Sequence, residues 1–258
     1  STINGNNCIL LEEDGRRMLI DAGWDLPHML KRNNIELKSI NDIYVSHAHA
    51  DHIGGLEYVA FSRYDWINKP LVAIKPHWQY RSDINQIEAY SEFAPNLIAN
   101  EKLMKELWDH SLKGGLQSIE GKDTTLNTFF VTVPIQGNQE FIWQGWACKL
   151  IQQIHIMTGT VISSTFGLMM SKEGHKTVYF VTDSQHCSPR QQEIFYKQAD
   201  IIFQDCELMP FYSGVHANYE QLAGYEKANS VKLSSEIKAK MYLTHYQDFY
   251  NEKKDFFG

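Results

Sequence analysis

One short segment constrains this chain more than any other. Residues 43–55 read Ile-Tyr-Val-Ser-His-Ala-His-Ala-Asp-His-Ile-Gly-Gly, so a strand-forming apolar start is followed by three histidines and one aspartate within six residues. Because alternate residues of an extended segment share a face, His47 and His49 are expected to bind the same cation. Asp51 and His52 follow where the chain turns, so they are expected to face a neighbouring cation position instead of the same one. Imidazole and carboxylate ligands are typical of zinc, so we predict a metal site.

A loop that merely happens to be rich in histidine is the alternative interpretation of this segment. The whole chain of 258 residues contains only 11 histidines, which makes such a cluster at ligand spacing improbable by chance. The glycine pair Gly54-Gly55 that follows is expected to let the backbone pass close behind the site. The metal interpretation is therefore the stronger one.

The composition is that of an ordinary soluble globular protein, with length for one large domain or two small ones. The net charge of −7 argues against a surface built to hold a long nucleic acid. Four scattered cysteines favour a reducing compartment. No apolar run approaches the roughly 20 residues that span a bilayer, and no signal peptide opens the sequence. We expect a cytoplasmic protein without a membrane partner.

Strands and helices alternate in the pattern of an α/β protein, and the second half is rich in strands. The passage from about residue 76 to 115 is weaker and more helical. Predicted strands are residues 7–12, 17–21, 40–46, 71–74, 129–135, 147–157, 163–172, 177–182, 201–203 and 241–245. Predicted helices are residues 26–33, 52–61, 87–93, 101–112 and 189–198, with another beginning near 219.

Further candidate residues lie at the ends of predicted strands. Asp21 ends the second strand, where it either orients a metal-bound histidine or caps a turn. His155 lies near the end of a long strand, Asp183 directly follows another, and His245 ends the last. His216 opens a predicted helix. Taken singly, each is more often a buried core histidine or a turn aspartate than a ligand.

Taken together, these residues resemble the metal-ligand series of the metallo-β-lactamase fold in type and order, over nearly the whole chain. The resemblance implies one domain over residues 1–258 with an αβ/βα four-layer sandwich, and a site for two divalent metal ions. It implies that one ion is held by His47, His49 and His155, that the second is held by Asp51, His52 and His245, and that Asp183 bridges them. Zinc is the expected metal. No cysteine occupies a ligand position.

The extra histidine identifies a branch of this superfamily. A histidine between Asp183 and His245, in the context His-Ala-Asn-Tyr-Glu, resembles the catalytic histidine of the tRNase Z phosphodiesterases. The resemblance implies catalytic roles for His216 and Asp51. A basic arm for holding tRNA is absent from the sequence. Residues 112–119 and 244–248 are instead similar to those of compact relatives that include phage anti-Pycsar proteins, which hydrolyse cyclic mononucleotides and so erase a host immune signal.

The resemblance thus implies a phosphodiesterase that opens 3′,5′-cyclic mononucleotides, in the host cytoplasm if the protein comes from a phage. Its implied partners are the cyclic nucleotide and a second copy in a homodimer, with no stable nucleic-acid partner. A tRNA 3′-processing endoribonuclease of the tRNase Z type is the alternative that shares the whole active site. A non-catalytic protein that binds and sequesters a nucleotide is a less favoured alternative.

Overall fold

The computed structural model describes residues 8–67, 80–81, 84–86, 94–119, 121–137, 139–225 and 231–245. The described residues up to Gly145 form one compact unit, the N-terminal unit, and those from Trp146 onward form another, the C-terminal unit. The predicted strand at 71–74 and the predicted helix at 87–93 lie outside the described residues. In the described ranges, no helix has the length and apolar character needed to cross a membrane.

The N-terminal unit contains a five-stranded sheet in the order β1-β2-β3-β6-β9, in which only the β1–β2 pair is antiparallel. The strands of the whole N-terminal unit, inside and outside this sheet, are β1 (Ile9–Glu13), β2 (Arg16–Ile20), β3 (Asp42–Tyr44), β4 (Tyr80–Arg81), β5 (Ile84–Gln86), β6 (Asn96–Asn100), β7 (Ser118–Ile119), β8 (Lys122–Asp123), β9 (Val131–Ile135) and β10 (Glu140–Trp143). Its helices are α1 (Leu26–Arg32), α2 (Ala50–Ile53), α3 (Leu56–Ile67), α4 (Glu101–Glu106), α5 (Lys113–Leu116) and α6 (Leu126–Phe129). A 3₁₀ turn covers Leu37–Ser39, and a π-helical segment, Leu107–Leu112, joins α4 to α5.

The predicted helix at residues 52–61 is wrong as a single element, because it divides into α2 and α3 around the glycine pair. A Cβ atom on Gly54 would lie 2.6 Å from the Ala50 carbonyl oxygen and 2.8 Å from Trp24 Cβ. A Cβ atom on Gly55 would lie 2.6 Å from the Gly23 carbonyl oxygen. The two glycines therefore permit a close approach of the segment that follows β2, which confirms their predicted purpose.

Strand β6 is the main element that the sequence analysis missed, since we predicted a mostly helical passage there. All five of its residues are buried, between β3 and β9. A parallel strand covered on both faces shows no alternation of polar and apolar residues, so its pattern resembles that of a short buried helix. The predicted helix at 101–112 is confirmed as α4 and the π-helical segment that continues it.

A buried carboxylate at the start of β3 fixes the strand that delivers the histidine segment. Asp42 accepts hydrogen bonds from Arg16 Nε and Nη2 at 2.6 and 2.8 Å, from Asn96 Nδ2 at 2.7 Å and from Trp143 Nε1 at 3.0 Å. The charge is paired and its lone pairs are satisfied, as a buried carboxylate requires. Asp42 thereby ties β3 to β2, β6 and β10.

The C-terminal unit contains strands in the order β15-β14-β13-β12-β11. These are β11 (Trp146–Met157), β12 (Ile162–Ser171), β13 (Val178–Thr182), β14 (Ile201–Asp205) and β15 (Met241–Thr244), with helices α7 (Pro189–Gln191), α8 (Tyr219–Ala223) and α9 (Ser235–Lys238). A π-helical segment, Gln192–Tyr196, continues α7, so the predicted helix at 189–198 is confirmed in two parts. Strands β13, β14 and β15 are parallel, whereas β12 is antiparallel to both of its neighbours.

Candidate active-site residues

The histidine segment of the N-terminal unit follows β3 and enters α2. Its backbone first continues the pairing with β6, because Val45 N donates to the Ile98 carbonyl oxygen at 2.9 Å. The ring centroid of His47 then lies 4.6 Å from that of His49 and 4.1 Å from that of His52. His47 and His52 are buried. The structure therefore brings together the three histidines that the motif predicts as ligands.

Asp51 lies in the first turn of α2, beside His52. Its Oδ2 is 3.5 Å from His52 Nε2, and its side chain is 40% exposed whereas that of His52 is 1% exposed. The two potential ligand atoms are thus close together, and the carboxylate is the more accessible of the two. Asp51 and His52 therefore offer a carboxylate oxygen and a ring nitrogen side by side, and their pairing around one cation stays a prediction.

Asp21 orients the histidine segment from the end of β2. His52 Nδ1 donates to Asp21 Oδ2 at 2.7 Å, and Ser46 donates to the same carboxylate through its backbone N at 2.8 Å and its Oγ at 2.7 Å. Because the Ser46 hydroxyl proton points to Asp21, its oxygen accepts from His47 Nδ1 at 3.0 Å. Of the two alternatives left open for Asp21, the structure supports orientation of a predicted ligand.

In the C-terminal unit, the candidate residues meet at one edge of the sheet. Asp183 follows β13, Asp205 is the last residue of β14 and His245 follows β15, and the carboxyl ends of parallel strands lie at the same edge. His216 joins them, so that one ligand atom from each of the four residues lies within 4.8 Å of the others. The ring centroid of His155 is 5.3 Å from that of His216.

Asp205 is a candidate functional residue that the sequence analysis missed. Its side chain is fully buried and accepts hydrogen bonds from Ser184 N at 2.9 Å, His216 Nδ1 at 2.8 Å and His245 Nδ1 at 3.1 Å. A carboxylate at the end of an apolar strand was the available signal, the same one that identified Asp183. This signal was weaker at Asp205 because Glu207 follows two residues later, and the sequence pattern does not show which of the two carboxylates faces the site.

Four of the five predicted histidine ligands share one hydrogen-bonding pattern. In each of these four, the ring Nδ1 faces an oxygen acceptor, which fixes the ring and leaves Nε2 as the second nitrogen. The acceptors are Ser46 Oγ for His47, Asp21 for His52, the Val215 carbonyl oxygen at 3.0 Å for His155, and Asp205 for His245. Metal-binding histidines usually have such partners, so the residues present fit a divalent metal.

His216 is partly buried and carries a raised pKa. Burial by itself lowers the pKa of His216, but the hydrogen bond to Asp205 and the charges of Asp205 and Asp183 outweigh it and raise the pKa above its ordinary value. Its Nδ1 is 2.8 Å from Asp205 and 3.9 Å from Asp183. Asp205 therefore both orients the His216 ring and favours its protonated form.

The loop that carries His216 is clamped at both ends. Glu207 N donates to the Ala217 carbonyl oxygen at 2.8 Å, and Tyr219 N donates to the Glu207 carbonyl oxygen at 2.9 Å. Inside the loop, Glu207 Oε1 accepts from Ser213 N at 3.0 Å, and Asn218 also caps the start of α8. The predicted helix near 219 is confirmed, and His216 lies just before it.

Three non-glycine residues with a left-handed backbone lie where these strands end. Asp21, Thr182 and His245 have φ values of 63°, 60° and 61°, in the left-handed region that favours glycine. A non-glycine residue held there costs on the order of 1–3 kcal/mol and persists only when its surroundings fix it. All three positions adjoin or belong to the candidate residues, which is where such strain is typically found.

Solved structures identify the class of protein. The metallo-β-lactamase fold protein YhfI from Bacillus subtilis aligns with a TM-score of 0.64 and 14% identity, covering 97% of this chain and 83% of that one. The short form of human tRNase Z aligns with a TM-score of 0.58 and 14% identity, covering 95% and 87%. At these identities the likeness concerns the fold alone. The predicted fold class is confirmed: this is an α/β protein with the metallo-β-lactamase fold.

The family follows from the sequence comparison. The model of the anti-Pycsar protein Apyc1 family matches residues 1–81 and 83–257, so the chain belongs to this family. An anti-Pycsar protein Apyc1 from Paenibacillus harenae is 29% identical over 248 residues, which cover 94% of this chain and 83% of the relative. The resemblance drawn from the histidine series and His216 is thereby confirmed.

Proposed function

We propose that this protein is a metal-dependent phosphodiesterase that hydrolyses 3′,5′-cyclic mononucleotides to mononucleotides. Membership in the anti-Pycsar family supports the reaction class. The structural observation that carries the proposal is the Asp205–His216 pair, because a histidine with a raised pKa and a fixed ring is what a proton donor to a leaving alkoxide requires. A protein that only bound a nucleotide would not need such a pair.

The proposed metal ligands are the seven residues of the predicted series. We propose that they hold two divalent ions, with zinc as the expected metal, in the sharing that the resemblance implies. When bound, such ions polarise the phosphodiester and lower the pKa of the attacking water. The Nδ1 contacts described above would hold the histidine rings so that Nε2 serves as the ligand atom.

The remaining roles belong to side chains of this protein. His216 in its protonated form would donate a proton to the leaving ribose oxygen and stabilise negative charge on the phosphate. Asp205 would keep His216 protonated and oriented through the 2.8 Å contact. Asp51, whose carboxylate is partly exposed, would orient the attacking water and accept its proton.

The experiment that tests the proposed function compares substrates directly. The full-length protein is incubated with cyclic AMP, GMP, CMP and UMP and with a tRNA precursor, and the products are resolved by chromatography. We expect ring opening of the cyclic nucleotides and no cleavage of the tRNA precursor. Cleavage of the precursor alone would establish the tRNase Z type of activity. No turnover of any of these or of bis-p-nitrophenyl phosphate would leave a nucleotide-binding protein.

We also propose that the protein acts as a homodimer in the cytoplasm, as the resemblance implies. Light scattering coupled to gel filtration measures the mass in solution. A mass near twice the 29.9 kDa of the chain is expected, and a mass near the single-chain value would contradict the dimer.

A further inference from the structure

A polar cavity lies in the C-terminal unit, outside the set of residues assigned above. Its volume is about 430 Å³, within the range of about 300–1,000 Å³ typical of small-molecule sites. It is bounded by β11, β12 and the segment from Gln185 to Gln191. Among the described residues, its lining includes no lysine, arginine, aspartate or glutamate. Burial lowers the pKa of His186, the one titratable residue of the lining, so the cavity is uncharged near neutral pH.

The amide groups of the lining are held in defined orientations. Gln152 Nε2 donates to Ser164 Oγ at 2.9 Å, which leaves Gln152 Oε1 as an acceptor. Gln185 Nε2 donates to the carbonyl oxygens of Gly214 at 2.6 Å and His155 at 3.2 Å, which leaves Gln185 Oε1 as a second acceptor. Gln191 Oε1 accepts from Ser188 N, which leaves its Nε2 as a donor. The cavity thus presents both acceptors and a donor.

Apolar surface completes the lining. Ile154 and Ile162 belong to the cavity wall and are 43% and 60% exposed. A flat ring with donors and acceptors on its edge can contact the apolar side chains with its face and the fixed amides with its edge. An isolated phosphate would have no lysine or arginine of the described lining to pair with. From this chemistry we propose that the cavity binds a nucleobase.

Gln185 connects this cavity to the candidate active site. Its side-chain amide holds the carbonyl oxygen of His155, a predicted ligand, and that of Gly214, in the loop that carries His216. Its backbone N donates to the Ile154 carbonyl oxygen at 3.0 Å. The bound base could belong to the cyclic nucleotide being cleaved or to a separate nucleoside. If the base belongs to the cyclic nucleotide, the inference rests on the proposed function. If the base belongs to a separate nucleoside, the inference does not depend on that function.

Neutral nucleosides test the cavity without any need for turnover. Adenosine, cytidine and uridine are titrated into the full-length protein by calorimetry, with two cavity variants beside it. Gln152→Leu removes an exposed amide, and Ser164→Val removes the hydroxyl that orients it. Because a lost hydrogen bond is worth about 1 kcal/mol, each variant should weaken nucleoside binding by about 5–10-fold. Ser171→Val, a similar change on β12 outside the lining, is the matched control and should bind as the unchanged protein does.

The kinetic arm separates the two sources of the base. If the cavity takes the substrate's base, KM for cyclic nucleotides should rise in Gln152→Leu while kcat/KM for bis-p-nitrophenyl phosphate, which has no base, stays constant. If it takes a separate nucleoside, binding should weaken while the KM for cyclic nucleotides is unchanged. Either result supports the site. Absence of nucleoside binding to the unchanged protein, or equal binding by Gln152→Leu and the control, would overturn it, whether or not cyclic nucleotides are hydrolysed.

Discussion

The N-terminal unit carries four predicted ligands in one short segment, between His47 and His52, whereas the C-terminal unit collects His155, Asp183 and His245 from three different strands. The short segment is oriented by one carboxylate on a neighbouring strand, Asp21. Asp183 and His245 depend on the alignment of the parallel strands β13, β14 and β15, and Asp205 contacts both His245 and His216. The same kind of chemistry is therefore supported locally in one unit and by the sheet in the other.

The largest expected effect is the loss of a predicted ligand, and it should be the same in both units. His47→Ala and Asp183→Ala should each lose bound metal and hydrolytic activity together, because affinity depends on the complete ligand set. Metal content is measured by mass spectrometry beside the rate of cyclic-nucleotide hydrolysis. His110→Ala, which changes an exposed histidine on the π-helical segment, is the control and should retain both. Full activity in a metal-free preparation would contradict the dinuclear proposal.

The two units also differ in how much the sequence reveals. The segment from His47 to His52 is recognisable because the spacing of its side chains by itself implies a shared cation. The glycine pair that follows the segment predicts a close backbone approach. His155 and His245 have no local signal beyond their position at strand ends, so they were identified through their order along the chain. Asp205 was missed because its role depends on which side chain at the end of β14 turns toward His216. That choice is made by tertiary packing.

The next effect concerns His216, which should affect chemistry without affecting metal content. His216→Ala should lower kcat for cyclic nucleotides by about 10²–10⁴-fold, the range typical of a lost general acid, with unchanged metal stoichiometry. The loss should be smaller for bis-p-nitrophenyl phosphate, because nitrophenolate leaves without protonation. His175→Ala, an exposed histidine of the same unit, serves as the control. Equal losses on both substrates would contradict proton donation, and loss of a metal ion would make His216 a ligand.

A smaller effect compares the two supporting carboxylates. Asp21→Asn and Asp205→Asn keep the side-chain shape and remove the charge, so each should weaken metal binding by about 10–100-fold, measured by competition with a chelator. Asp205→Asn should in addition lower kcat at saturating metal, because it also contacts His216. Asp21→Asn should leave kcat at saturating metal nearly unchanged. Equal kcat values of the two variants at saturating metal would contradict the predicted difference between the roles of Asp21 and Asp205.

The smallest effect concerns stability in the N-terminal unit. Gly54→Ala places a Cβ atom within 3 Å of the Ala50 carbonyl oxygen and Trp24 Cβ and should lower the free energy of unfolding by about 1–3 kcal/mol. Gly114→Ala is the matched control in α5, where nothing lies within 4 Å of the new Cβ atom. There alanine should leave stability unchanged or raise it by up to about 1 kcal/mol. Thermal unfolding of both variants tests this prediction, and equal midpoint temperatures would contradict the close backbone approach at Gly54.

The central claim is that four predicted histidine ligands bind metal through Nε2 while Nδ1 keeps its oxygen acceptor, and that His216 binds none. Nitrogen-15 NMR of the histidine rings during a titration with zinc tests this claim directly. We predict that His47, His52, His155 and His245 retain the Nδ1–H form and that their Nε2 resonances shift to saturation at two ions per chain. His216 should show no ligand-type shift. Rings protonated at Nε2, or a ligand-type shift of His216, would contradict the account.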